Sequence, residues 1–446
     1  MSDNQIRMSK RTLFLLLLLS AIFISACKKK GPDEDTTYPT ITIVKPGSSI
    51  SYNMFDTIHI QVSVSDDQIL KTVTVGLTDL NRIPVQANVN YTPNTAQLDI
   101  NIGYEITEYH LLSGFYYVMV YASDGQNDIQ SARTIYIHAS PIVKTGYYLF
   151  TSSASQNNVQ KTDTNFASVN TVQNSGEFNG SAISNYYQRL YVGGGINQDF
   201  QAYDCSSNAL KWAKQNSGAG SPYFSSCGTD GKNVFIGYNN GQLIKYDYNG
   251  GQLTSYNYPD PDYYSQHGAV AADKYIAHYQ SRYVPNNKKL VVFDLSSGSA
   301  VKELSVNFTT LGVFEKSNDE VYILGNDNTG QGVVYVYTIS TTSLYSPVSL
   351  SSGKIISACK IDSDILLIAM DDGNIYEYQY STNNLISIDN GVLVTRMRYS
   401  ENENYVYIAS DVQLRTCQLL SNFTLHTVHT YNHSDTIRDF QVIFNK

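Results

Sequence analysis

Apolar residues recur along this chain as many short runs, and the way the runs are organised changes near Pro141. From Tyr38 to about Ser140 the period is two. Ile58, Ile60, Val62 and Val64 alternate with His59, Gln61 and Ser63. Val73, Val75 and Leu77 follow, then Leu98, Ile100 and Ile102, then Val118, Val120 and Ala122, then Ile135 and Ile137. Alternation puts one face of each strand in a core. Several such strands separated by turn residues predict a two-sheet β-sandwich over 38–140.

Beyond Pro141 the runs form a repeated unit. It is clearest in RLYVGGGINQDFQAYDCSSNALKWAKQ (189–215) and NVFIGYNNGQLIKYDYNGGQLTSYNY (233–258). Each copy holds three apolar runs, with polar turns between them. The copies start at Tyr147, Arg189, Asn233, Tyr275, Val321, Ile365 and Tyr405, at intervals of 40–46 residues. That length, with three to four strands per copy, predicts propeller blades. A further apolar stretch precedes every copy from the second onward, at 180–184, 222–227, 268–272, 310–315, 355–361 and 392–399. These read as inner strands. The first copy has none, and the chain ends with a spare one at 436–444. The expected fold is all-β: a sandwich, then a seven-bladed β-propeller over 141–446, closed by the C-terminal strand.

Two resemblances sharpen this. The segments DTIHIQVSVSDDQILKTVTVGLTD and GFYYVMVYASDGQNDIQSARTIYI resemble the B–C and F–G regions of bacterial immunoglobulin-like domains. The region lacks a Cys…Trp…Cys core, so the resemblance is to the disulfide-free type. The repeats are similar to those of quinoprotein-like and YVTN-type propellers, best at Ala202-Tyr203-Asp204 with Trp212 eight residues on. The Gly-His and Trp-Asp signature of WD repeats is absent. This second resemblance implies architecture only.

The N-terminus changes the picture of where the protein works. Arg7, Lys10 and Arg11 precede an apolar run at 13–24 that is too short to span a bilayer and reads as a secretory signal. It ends Ile24-Ser25-Ala26-Cys27, which resembles the lipobox of bacterial lipoproteins. The resemblance implies removal of a signal peptide, 1–26, and acylation of Cys27, with palmitate or similar chains. Each buried methylene contributes about 0.8 kcal/mol of anchoring. Residues 27–37 offer no apolar face and read as a disordered tether. Their Lys-then-acidic order resembles surface-export signals of Bacteroidota lipoproteins. A lipid-anchored protein of the bacterial outer membrane or cell surface is expected. The net charge of −9 argues against nucleic acid as a partner, because phosphate backbones need a basic footprint.

Candidate chemistry is sparse. No nucleophile elbow, phosphate loop, dinucleotide-binding glycine motif, zinc-protease motif or Cys-x-x-Cys appears. Quinone enzymes of this fold carry many Trp and a vicinal disulfide. This chain has one Trp and no adjacent Cys pair, so no cofactor is expected. Cys205, Cys227, Cys359 and Cys417 read as small packing residues. His426, His429 and His433 look like ligands, but strand positions three apart face opposite sides unless a bulge intervenes, so no metal is assigned. Arg396, Arg398 and Arg438 fall on inner strands, where they line the channel for an anion or pair with acidic residues. Asp66, Asp67, Asp124 and Asp128 sit at strand ends, as turn formers or, in the manner of cadherin-like modules, as calcium ligands.

Loop length is the remaining signal. D–A and B–C loops share one face of a propeller, and the long ones cluster there at 257–267, 278–289, 325–332 and 193–199. This patch offers Tyr263, Tyr264, His267, Tyr279, Arg282, Tyr283, Asn326 and Asp327. Aromatic faces beside amides and carboxylates suit a glycan or a protein surface. The expected function is a membrane-anchored, non-catalytic binding lipoprotein. The alternatives are an outer-membrane assembly scaffold facing the periplasm and a propeller-based polysaccharide lyase or hydrolase.

Overall fold

Every regular element among the described residues is a β-strand. In this computed structural model those residues are 35–152, 157–174, 178–218, 222–350, 353–421 and 424–446. Cys27, the segment read from sequence as a secretory signal and most of the segment read as a tether lie outside them. The chain divides into two units, Met1–Ser140 and Pro141–Lys446.

The first unit has two sheets. One runs in the order Thr40–Lys45, Thr57–Ser65, Gln97–Glu105. The other runs Ile50–Asn53, Asp128–His138, Gly114–Ser123, Thr72–Thr78, Val89–Tyr91. Ile50–Asn53 pairs parallel with Asp128–His138; the other pairs are antiparallel. The period-two runs explain the packing. Ile58, Ile60, Val62 and Val64 of one sheet and Val73, Val75, Leu77, Val118 and Val120 of the other are buried in a single core. Each such side chain contributes about 1.5–3 kcal/mol of burial energy.

The second unit contains seven four-stranded sheets among its described residues. Six follow the chain, inner strand first. The second sheet, for example, is Phe178–Ser184, Arg189–Gly194, Phe200–Asp204 and Leu210–Lys214. The first sheet is built differently. Lys144–Ser152, Asn157–Thr162 and Ser168–Asn174 receive Thr436–Phe444 as their inner strand, with Phe440 opposite Leu149 and Val442 opposite Tyr147. The inner strands touch in a cycle: Thr436–Phe444 meets both Phe178–Ser184 of the second sheet and Arg396–Ser400 of the seventh. Seven apolar clusters follow the same cycle, each drawn from two neighbouring sheets. One joins Tyr147 and Leu149 to Tyr407, Ala409 and Leu414 and so links first sheet to last. This is a β-propeller fold.

Local chemistry explains the repeat. The acidic residue ending the third strand folds back over the next turn. Asp204 Oδ1 accepts the Ser206 and Ser207 amides at 3.1 and 3.0 Å, and Asp294 Oδ1 does the same for Ser296 and Ser297. The other oxygen pairs across the strand, Asp204 with Arg189 at 2.7 Å and Asp294 with Lys274 at 3.2 Å. Tyrosine fills the seams between sheets. Tyr147, Tyr148, Tyr191, Tyr256, Tyr275, Tyr322 and Tyr407 are fully buried, and several hydroxyls end on a neighbouring loop: Tyr256 on the Leu295 carbonyl at 2.9 Å, Tyr322 on Ser363 at 2.8 Å. Trp212 donates to the Tyr248 carbonyl at 3.0 Å, and its ring faces Gly250. A Cβ there would sit 2.9 Å from the ring at a φ of +83°, so only glycine fits.

Candidate functional site

Strand pairing brings the long loops to one end of their sheets. Tyr263 opens the inner strand Tyr263–Ala271 of the fourth sheet and pairs with Ser281, which ends the next strand. The 282–287 loop is therefore beside the 258–262 segment, and Arg282 donates its amide to the Asp262 carbonyl at 2.8 Å. The loop is tied at its base by Ser281 N–H to Asn287 O (2.9 Å) and Asn287 N–H to Val284 O (2.8 Å). Lys288 reaches the fifth sheet's loop at Asn328 Oδ1 (2.7 Å), and Gly241 of the third sheet's loop lies against the Tyr263 carbonyl.

The eight residues selected from sequence separate into four groups. Arg282 and Tyr283 are exposed, Tyr283 at 75%. Tyr263 and Tyr264 are half-buried; the Lys289 ammonium lies 4.6 Å from the Tyr263 ring centre. Three residues are engaged within the protein. Tyr279 is fully buried against Tyr258 (4.9 Å between ring centres) and Phe293, because strand Lys274–Ser281 extends past it. Asn326 spends its amide on the backbone of Ile355: Nδ2 donates to the carbonyl at 2.9 Å and Oδ1 accepts the amide at 2.8 Å. Asp327 Oδ1 accepts the Thr329 hydroxyl at 2.7 Å and the Thr329 and Gln331 amides at 2.8 and 2.9 Å, and these bonds, the hydroxyl's above all, hold its pKa below the ordinary value.

His267 is the last. It is half-buried on the inner strand and pairs across to His278, which sequence reasoning did not single out. His278 is 1% exposed, and neither ring nitrogen has a hydrogen-bond partner. Burial, then the charges of His267 and Lys288, push its pKa down to about 3. Burial and the Arg396 charge push His267 down to about 4. Both imidazoles are neutral at pH 7, so neither is a general acid there. The available signal was strand period: His278 falls in the alternation of Ile276 with Ala277, ahead of the loop.

At the ring axis, the carboxylate of Asp439 lies 3.2 Å from Arg396 Nε and 2.9 Å from Arg398 Nη2, and it accepts the Ser181 hydroxyl at 2.8 Å. Arg398 also donates to the Phe440 carbonyl at 2.8 Å. Arg396 and Arg398 thus pair with an acid; Arg438 bonds Ser152 Oγ at 2.8 Å. A cavity of about 350 Å³ opens between the inner strands of the sixth, seventh, first and second sheets, lined by Lys360, Arg398, Glu401, Tyr407, Gln441 and Asn185 among others. Its charges are largely spent on the protein: Lys360 Nζ holds the Glu315 carbonyl at 2.9 Å.

A bulge in Thr424–Asn432 sets Thr416 opposite His429 and Gln418 opposite His426, so these two histidines share a face, contrary to simple alternation. His429 stacks on Phe166 at 5.3 Å, and His433 Nε2 bonds Gln160 Oε1 at 2.9 Å. Cys205, Cys227, Cys359 and Cys417 are free thiols, three of them buried.

No protein-family model matches the chain, and no curated protein matches it. Among solved structures the chain is similar to U3-55K, at 13% identity and a TM-score of 0.47, covering 60% of this chain and 85% of that one. It is similar to the β-propeller domain of Cps50 (Swd1) from Myceliophteria thermophila, at 12% identity and a TM-score of 0.45, covering 59% and 89%. It is also similar to BamB from Moraxella catarrhalis, at 11% identity and a TM-score of 0.40, covering 66% and 92%. At such identities likeness concerns fold and leaves chemistry open.

Proposed function

We propose that this protein is a lipid-anchored, non-catalytic binding protein of the bacterial envelope. In this reading an immunoglobulin-like sandwich carries a seven-bladed propeller that engages a partner protein through the loop around Tyr283. One observation carries the choice of surface. Tyr283 is 75% exposed and Val284 48% exposed, beside exposed Arg282, on a loop tied at its base. A pre-ordered aromatic, aliphatic and Arg tip is what protein interfaces use as an anchor, since little side-chain or loop entropy remains to be lost. Burial of Tyr279 and the internal duties of Asn326 and Asp327 take away much of the broad platform that a sugar ring would need. The anchor rests on Ile24-Ser25-Ala26-Cys27, and the immunoglobulin-like reading on the two-sheet strand order.

Photo-crosslinking from position 283 in intact cells tests this. A covalent adduct to an envelope protein is expected, with none from exposed Leu253 on another sheet. Equal labelling from both positions, or none from 283, would remove the loop as the site. A glycan bound by the wild type and lost in Tyr283→Ala would replace the protein partner with a sugar. Protease shaving of cells separates surface display from a periplasmic scaffold.

A further inference from the structure

Three carboxylates from distant parts of the first unit meet at one point. Asp35 precedes the first strand, Asp66 follows Thr57–Ser65, and Asp124 follows Gly114–Ser123. One oxygen of each lies within 4.8 Å of the others. The three are not equally provided for. Asp124, 6% exposed, accepts the amides of Gln126 and Asn127 at Oδ1 (2.5 and 2.7 Å) and Asn127 Nδ2 at Oδ2 (3.3 Å). Both oxygens of Asp66 and Oδ2 of Asp35 are shut off from solvent and accept no hydrogen bond. Among the described residues no Lys, Arg or His nitrogen lies within 4.0 Å of any of them.

Desolvated carboxylate oxygens without a donor are costly, and two more carboxylates close by raise the cost. A sequence that merely formed turns would leave these oxygens facing water, as exposed Asp67 is. Here they face one another. Their geometry is also fixed from outside: Asn127 Nδ2 donates to the carbonyls of Asp35 and Thr37 at 3.0 and 2.9 Å, and Asp35 N–H to Gln126 Oε1 at 3.2 Å. These bonds hold Asp35 against the 124–127 turn although it belongs to the segment read from sequence as tether.

We propose that Asp35, Asp66 and Asp124 form a calcium site that clamps the start of the sandwich to the turn after Gly114–Ser123. Oxygen-only ligands select a hard cation, and calcium, which tolerates an irregular oxygen shell, suits three carboxylates from separate turns better than magnesium, which demands near-ideal octahedral geometry.

The test uses the full secreted chain, freed of metal by a chelator and titrated with calcium chloride alone. Calorimetry should show one saturable event, and calcium should raise the melting temperature of the unit. Asp66→Asn should weaken binding by more than about tenfold while raising the melting temperature of the metal-free protein, because it removes repulsion. Asp35→Asn should do the same, and Asp67→Asn should bind as wild type. The proposal fails if the wild type gives neither heat nor a thermal shift up to about 10 mM calcium, well above the range of extracellular modules. It also fails if Asp66→Asn and Asp35→Asn respond as wild type does, or if magnesium matches calcium at equal concentration. A metal-free protein stabilised by acid but indifferent to calcium would mean that a shared proton does this work, and would equally overturn it.

Discussion

Arg398 Nη2 lies 2.9 Å from Asp439 Oδ1, so the seventh sheet and the C-terminal strand are joined by an ion pair at the ring axis. Asp439 is 1% exposed and also faces Arg396 at 3.2 Å. Burial pushes its carboxyl up, but the two guanidiniums and the Ser181 hydroxyl outweigh that and hold its pKa below the ordinary 3.8. A depressed folded pKa means the pair stabilises fully above the unfolded value and is lost as the pH falls through the folded one. Asp439→Ala would leave two cations facing each other. Their partial exposure tempers the cost, and a loss of about 2–4 kcal/mol is expected by denaturant unfolding at pH 7. Little or no change in midpoint would show that the pair is not holding this seam.

His278 should make the propeller acid-sensitive in a higher window. Its pKa is depressed from 6.5 to about 3 by burial and the neighbouring His267 and Lys288 charges. The unfolded chain therefore binds a proton that the folded chain refuses. Stability falls as the pH drops below about 6.5, by about 1.4 kcal/mol per pH unit, until the folded pKa is reached. His278→Leu removes a buried ring with no hydrogen-bond partner, so stability at pH 7 should change little. Melting temperatures between pH 4.5 and 7 should fall less steeply in the variant. Parallel curves would assign the acid loss to other groups.

Much of this fold could be read in the sequence because its strands are short, alternate strongly and recur at 40–46 residues. Arg189, Ile365 and Tyr405, read as strand starts, are the first residues of their strands. The site was less legible, for physical reasons. Nothing local marks where a strand ends and its loop begins, and antiparallel pairing from Lys274 to Gln280 carried Tyr279 into the core. Asn326 and Asp327 look like free loop amides and acids until their backbone partners are known. Asp35, Asp66 and Asp124 are brought together only by the packing of two sheets, so alternation could not pair them. The bulge opposite Thr416 and Cys417 has no signature that separates it from regular strand.

The C-terminal strand offers a separate test of ring closure. Thr436–Phe444 supplies the inner strand of the first sheet, and Ile437, Phe440, Val442, Ile443 and Phe444 are buried there. Removing 436–446 would expose those seams and leave Lys144–Ser152 with an unpaired edge. A chain cut after Asp435 should lose cooperative unfolding of the propeller or aggregate. Adding a synthetic peptide of residues 436–446 should restore part of the transition. A truncated chain that melts as the full one does would show that closure contributes nothing to stability.

Asn326 and Tyr283 stand at corresponding loop ends of adjacent sheets but should respond oppositely to truncation. Asn326 holds both the carbonyl and the amide of Ile355, which opens the inner strand of the sixth sheet. Alanine there leaves two backbone groups without partners, at a cost of about 1–3 kcal/mol. Tyr283 is 75% exposed, so its alanine variant should unfold within about 0.5 kcal/mol of wild type. Partner capture should show the reverse order: lost in Tyr283→Ala, kept in Asn326→Ala at temperatures where that variant is folded. Measuring unfolding and capture on both proteins separates a binding residue from a seam residue. If Asn326→Ala alone lost the partner while remaining folded, the binding surface would have to move to the fifth and sixth sheets.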